Sequence, residues 1–291
     1  MLKEAVDGLN IKPGGIYVDA TFGGGGHAKE ILKKIENGQL MAFDRDIDAI
    51  KNKVDDERLI LLNNNFRYLK HFLKYYKAIP VDGILADLGV SSHQFDTAER
   101  GFSTRFNSKL DMRMDIRNAN TAVEIVNDYS EEKLSEIFNN YGELNNHKAL
   151  AKKIIRYRSS KKILTVDELK MAIYELIDKS NEDKFMARVF QALRIETNQE
   201  LEALKEMLTQ SLDVLKPGGR LAVISYHSLE DRMVKNFMKS GRFDGEVEKD
   251  MFGNYFTPFT LITKKPLTPD DIEINQNKRA RSAKLRIAEK N

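Results

Sequence analysis

The chain has 291 residues, 41% hydrophobic and 31% charged, a composition that can build a core and argues against wholesale disorder. It has no cysteine, which excludes disulfides, thiolate metal sites and thiol nucleophiles and fits a reducing, cytoplasmic setting. The net charge is only +3, yet the last fifteen residues, 277–291, hold six basic side chains against one acid, and residues 148–162 hold seven basic side chains and no acid. Such blocks are footprints for phosphate backbones or, as readily, solvated faces. The five histidines are scattered with no H-x-x-x-H pair, so no metal site is expected. No apolar run nears the roughly 18 residues that span a bilayer, and neither a membrane segment nor a signal peptide is expected.

The first ninety residues alternate in the βαβ manner. Gly15-Ile-Tyr-Val-Asp19 is a short apolar run ending in an acid, followed by four glycines and a helical stretch from His27 to Ile35. Gln39-Leu-Met-Ala-Phe43 with Asp44 at its end, Leu59-Ile-Leu-Leu62, and Val81-Asp-Gly-Ile-Leu-Ala86 with Asp87 at its end follow. Four such runs separated by helix-length segments predict a parallel sheet with crossover helices, with ligands beyond the carboxyl ends of the strands. From Asn107 to Lys184 the strand pattern gives way to amphipathic helices at 121–140, 144–157 and 165–177. A long helix over 185–215, with leucines at spacings of three and four, leads into a strand at Gly219-Arg-Leu-Ala-Val-Ile224, and 255–262 reads as a further strand. The expected organisation is an α/β domain made of 1–106 and 185–291, interrupted by a helical, substrate-recognising insertion at 107–184.

The glycine loop Gly23-Gly-Gly-Gly26 fits both a dinucleotide and a nucleoside cofactor. Asp19, just before it, separates the two. A dinucleotide sets its pyrophosphate over these glycines, and each like-charge contact with Asp19 at about 4 Å costs roughly 4 kcal/mol at an effective dielectric of about 20. S-adenosylmethionine carries an ammonium and a sulfonium and no phosphate, so Asp19 attracts it, while Asp44 can accept from both ribose hydroxyls. Phe66, after the third strand, is either an adenine contact or a core residue. A Walker loop is excluded because no G-K-[ST] follows the glycines. The loop reading thus points to S-adenosylmethionine, with a nicotinamide-dependent oxidoreductase as the rival.

Without cysteine, methylation of a pyrimidine ring carbon is disfavoured, and a nitrogen or oxygen acceptor is expected. Asp87 opens Asp87-Leu-Gly-Val-Ser-Ser92-His-Gln94, where a carboxylate can accept an amine N–H while the lone pair faces the methyl group. After the fifth strand, Ser228 with Asp231 suggests a helix cap, while Tyr226 and His227 are candidates for stacking on an unstacked base. RNA backbone is expected to be held by Lys148, Lys152, Lys153, Arg156 and Arg158 in the first basic block and by Arg279, Arg281, Lys284 and Arg286 in the second. A non-catalytic RNA-binding module and a protein-amine methyltransferase are further rivals.

Several blocks then tie the chain to a family. Asp19-Ala-Thr-Phe-Gly-Gly-Gly-Gly-His27, Asp87-Leu-Gly-Val-Ser-Ser92, Glu99-Arg-Gly-Phe-Ser103, Leu110-Asp-Met-Arg-Met-Asp115, Phe190-Gln-Ala-Leu-Arg-Ile195, Ser225-Tyr-His-Ser-Leu-Glu-Asp-Arg232 and Arg279-Ala-Arg-Ser-Ala-Lys-Leu-Arg286 occur in order along nearly the whole chain. Together they resemble the signature blocks of the bacterial ribosomal RNA small subunit methyltransferase H family. The resemblance implies a Rossmann-like class I methyltransferase sheet interrupted by a helical domain, and methylation of the exocyclic amine of one cytosine in the decoding region of 16S ribosomal RNA. It carries cofactor contacts onto Gly25, Gly26, His27, Asp44, Phe66, Asp87 and Gln94; Asp19 comes from the charge argument alone. The expected partner is 16S ribosomal RNA or the small ribosomal subunit, with oligomeric state, a homodimer included, left open. The chain departs from the family pattern in lacking an N-terminal stretch with a histidine. It also has His93 in place of a proline, and Asn181-Glu-Asp-Lys-Phe-Met186 where a basic stretch is usual.

Overall fold

A computed structural model describes residues 1–247 and 257–291. The chain divides into two units, one made of 1–89 and 201–291, the other of 90–200.

The first unit opens with α1 (Leu2–Gly8), β1 (Ile16–Asp19), α2 (Gly26–Lys34), β2 (Gln39–Phe43), α3 (Ile47–Ile50), β3 (Leu59–Leu62), α4 (Leu69–Tyr75) and β4 (Val81–Asp87). Neighbouring strand residues alternate between two cores, as the period of two requires. Val18, Met41, Phe43, Ile84 and Val223 share one core with Leu73 of α4. Tyr17, Leu40, Ala42, Leu85 and Ile224 share the other with Val6 of α1 and Ile31 of α2. A sheet covered on both faces explains why its strands read as unbroken apolar runs. Helix α2 buries Ala28, Ile31 and Leu32, spaced to lie on one face.

The second unit holds α5 (Ser92–Asp96), α6 (Ala122–Asp128), α7 (Glu131–Asn140), α8 (His147–Arg158), α9 (Val166–Ile173) and α10 (Glu182–Asn198). Three of these start in capping boxes, Ser91 with Gln94, Thr121 with Glu124 and Thr165 with Glu168. Such caps satisfy backbone donors that would otherwise be orphaned. Leu134, Phe138, Leu150, Ile154, Leu169, Val189 and Leu193 are fully buried in the unit's own core.

The chain returns to the first unit through α11 (Glu200–Val214), β5 (Leu215–Ser225), α12 (Ser228–Ser240), β6 (Phe259–Leu261), α13 (Asp271–Gln276) and β7 (Lys284–Lys290). The sheet order is β3-β2-β1-β4-β5-β7-β6, with β1 to β5 parallel and β7 antiparallel to both its neighbours. It is a Rossmann-like sheet, wound with helices on both faces. Strand order reverses between β1 and β4, which makes the space beyond their carboxyl ends the ligand crevice.

Three expectations about the elements change. The helix expected over 121–140 breaks at Tyr129, because Ser130 caps α7 by accepting from the Lys133 N–H. The helix expected over 185–215 ends at Gln199, whose φ of 49° and ψ of 46° are left-handed. Its first part buries Met186, Val189 and Leu193 in the helical core and the part after it buries Leu204 and Leu208 in the sheet's core. Of the strand expected over 255–262, the first two residues lie outside the described ones, and 259–261 form β6.

Candidate active site

The loop after β1 is pinned from three sides. The Ala20 N–H donates to the Leu85 carbonyl and the Phe22 N–H to the Phe43 carbonyl, each at 2.8 Å. Thr21 Oγ1 accepts from the Asp87 N–H at 2.6 Å, tying this loop to the end of β4. Asp44 Oδ2 accepts from the Gly23 N–H at 2.8 Å and its Oδ1 from the Asp46 N–H at 2.8 Å. Gly23 and Gly25 have φ of 52° and 75°, backbone that favours glycine. A side-chain carbon built at Gly24 or Gly26 would meet nothing within 4 Å, so that face of the loop is open, and α2 begins there with no side-chain cap.

Asp19 is the last residue of β1, Asp44 follows β2 and Asp87 is the last residue of β4. Asp19 is fully buried; its Oδ1 accepts from the Thr21 N–H at 3.1 Å and its Oδ2 has no hydrogen-bond partner among the described residues. Burial lifts its pKa to about 7, with the negative charges of Asp87 and Asp44 adding to the rise. Burial also raises Asp44, against the pull of its two backbone N–H donors. Three carboxylates are thus gathered with too little positive charge, and an orphaned, buried acid oxygen among them suits a cationic guest better than a diphosphate.

Asp87 is held at its backbone N–H by Thr21 and at one carboxylate oxygen by Tyr226. Tyr226 donates its hydroxyl to Oδ1 at 2.8 Å, while His27 Nδ1 stands 3.8 Å from Oδ2, beyond hydrogen-bond reach. The Asp87 side chain keeps 28% of its surface exposed. Burial lifts its pKa to about 6, opposed by the Tyr226 hydroxyl. His27 is pushed down to about 4, first by burial and then by the Met1 ammonium, so it is neutral at physiological pH.

The other expected site residues each have structural partners of their own. Phe66 begins a 3₁₀ turn and packs, partly buried, against the sheet's core. Gln94 belongs to the second unit, where its carboxamide oxygen accepts from the Ser91 N–H at 3.0 Å in a capping box. His227 is not a stacking residue: it is the N-cap of α12, and its side chain is 9% exposed beside Glu230. Ser228 is therefore not the cap. Asp231 does not cap either but pairs with Arg286 at 2.7 Å and Lys284 at 3.2 Å. Tyr226 is likewise turned to Asp87 rather than set out for a base.

The basic blocks divide. Lys148, Lys152 and Arg156 are exposed on α8 at spacings of four, one face of a helix. Lys153 pairs with Glu175, and Arg158 donates to the Val126 carbonyl at 2.9 Å. In the second block Arg279 and Arg281 are exposed on a 3₁₀ turn, whereas Lys284 and Arg286 lie in β7, with the Arg286 side chain only 10% exposed. Arg286 as an RNA contact is corrected by that burial and by its pairing with Asp231. Among the described residues, no helix is long and apolar enough to cross a membrane.

A model of the MraW methylase family matches residues 1–291. Proteins named ribosomal RNA small subunit methyltransferase H from Flavobacterium johnsoniae and Phocaeicola vulgatus are 56% and 57% identical over 291 residues, covering 100% of this chain and 96% of each relative. That of Flavobacterium psychrophilum is 57% identical and covered over 100% of both chains.

Proposed function

The chain belongs to the MraW methylase family, and from that premise we propose that it methylates the exocyclic amine of one cytosine in the decoding region of 16S ribosomal RNA. It is an S-adenosylmethionine-dependent ribosomal RNA methyltransferase. The observation that carries the choice of an amine is the Asp87 carboxylate, with one oxygen tied to Tyr226 and the other free of hydrogen bonds among the described residues, at the crevice where β1 and β4 end.

S-adenosylmethionine, when bound, supplies a methyl group activated by its sulfonium. The backbone of Gly25 and Gly26, His27, the carboxylates of Asp19 and Asp44, and the ring of Phe66 would hold it. Asp44 has one lone pair left on each oxygen for ribose hydroxyls. Asp87 accepts an N–H of the amine, which turns the nitrogen lone pair away from the carboxylate and fixes its direction of attack. As positive charge grows on the nitrogen, the same carboxylate stabilises it and stands ready for the proton. Neutral His27 beside it adds no competing cation.

Lys148, Lys152 and Arg156 on α8, with the exposed Arg279 and Arg281, are our candidates for the RNA backbone. A ribosomal RNA substrate puts the reaction in the cytoplasm. Incubating the protein and labelled S-adenosylmethionine with naked 16S RNA and with unmethylated small subunits, followed by nucleoside analysis, tests the reading. N4-methylated cytidine is the expected product, and label on a ring carbon, on a ribose or on protein would overturn it.

A further inference from the structure

We infer that Tyr226 is a positioning residue, whose hydroxyl bond to Oδ1 of Asp87 fixes the carboxylate so that Oδ2, which makes no hydrogen bond among the described residues, is the oxygen offered to the amine. The inference rests on the amine-methylating reading above. Tyr226 is itself fixed: its N–H donates to the Glu230 carboxylate at 2.9 Å, and its ring packs, partly buried, against the core beneath the sheet. Its hydroxyl donates to Oδ1 at 2.8 Å, and the Asp87 N–H is held by Thr21 at 2.6 Å, so both ends of the aspartate are fixed. Among the described residues Oδ2 makes no hydrogen bond, and His27 Nδ1 stops 3.8 Å short of it. A carboxylate free to rotate would present its two oxygens interchangeably; the bond to Tyr226 sets one orientation, in which Oδ2 keeps both of its acceptor sites for a guest.

The phenol also tunes the acid. The groups that face Asp87 are Tyr226 and Glu230 from β5's far end and α12, Asp19 from β1, His27 from α2, the Met1 ammonium and Glu273 of α13. Burial, Glu230 and Glu273 raise Asp87, while the Tyr226 hydroxyl and the ammonium lower it, to about 6. The phenol keeps its proton throughout, since burial and then Asp87 push it upward. Removing the hydroxyl therefore moves Asp87 further up, and the ionised acceptor is lost at a higher pH.

The test is the pH profile of kcat on unmethylated small subunits for the wild type and Tyr226→Phe, with S-adenosylmethionine affinity measured alongside by calorimetry. We expect kcat at pH 7 to fall at least about tenfold, the acid limb to move up by about one pH unit, and cofactor affinity to stay within about twofold. A variant with 3,5-difluorotyrosine at position 226 keeps the shape and strengthens the donor, and its acid limb should move down. It carries the test if the phenylalanine variant does not fold. Normal wild-type turnover with unmoved limbs in the variants would overturn the role of Tyr226 alone. Absence of cytosine methylation by the wild type would instead sink the amine reading and this inference with it.

Discussion

Residues 148–162 and 277–291 are alike as sequence, each a dense run of lysine and arginine, yet the fold uses them in different ways. Helix α8 sets Lys148, Lys152 and Arg156 on one exposed face. Strand β7 draws Arg286 into the sheet, where Asp231 takes it at 2.7 Å and Lys284 at 3.2 Å, and Lys290 donates to the Leu215 carbonyl at 2.6 Å. The difference is one of periodicity. In a helix of four-residue spacing the charges fall on one side of the axis, whereas Leu285, Ile287 and Ala288 pull the second block into the interior and oblige its charges to find partners. A charge count describes what a segment could contact; burial decides what it is free to contact.

The largest expected effect lies in the buried pair. Arg286→Ala leaves Asp231 short of its main partner and should destabilise the protein by about 3 kcal/mol in urea unfolding, with the salt slope of RNA binding unchanged. Asp231 is held below the usual carboxylate range by Arg286 and Lys284 against the cost of its burial. The stability it contributes is thus present above the ordinary carboxylate pKa and lost as pH falls through its lower folded value. Asp231→Asn should flatten that acid-side decline. If Arg286→Ala instead weakens RNA binding and spares stability, the contrast between the two blocks is wrong.

Replacing Lys148, Lys152 and Arg156 together by alanine should do the opposite. Folding should change by less than about 0.5 kcal/mol, while the salt slope of RNA binding should drop by about two to three. An unchanged slope would remove α8 from the interface. Arg279→Ala with Arg281→Ala sharpens the comparison within one block, since these exposed residues should lower the slope by about one to two and leave stability alone. The smallest effect is expected of His227→Ala, which loses a helix cap worth about 1 kcal/mol and should leave RNA affinity unmoved. Weakened RNA binding with an unchanged melting temperature would restore it as a stacking residue.

Much of this was legible in the sequence because the signals were local. Apolar runs ending in Asp19 and Asp87, and one followed by Asp44, mark strands whose ends share a crevice, and a glycine loop between strand and helix marks a ligand. What was not legible depended on partners far along the chain or on one-residue choices. The strand at 284–290 hid inside a charge run, because its alternation is filled by basic side chains that find Asp231 only after folding. The α12 cap falls on His227, one residue before the serine that propensity favours. The bend at Gln199 uses a residue with no special taste for left-handed backbone and follows from two separate cores. The bond between Tyr226 and Asp87 spans 139 positions and exists only because β4 and β5 are neighbours.

Asp87 as the acceptor of the amine N–H is the central proposal. Methyl transfer to unmethylated small subunits by Asp87→Ala, set against its thermal unfolding, measures that directly. Turnover slower by about a hundredfold or more in a protein that still folds is the predicted result. Turnover within about twofold of the wild type would contradict it.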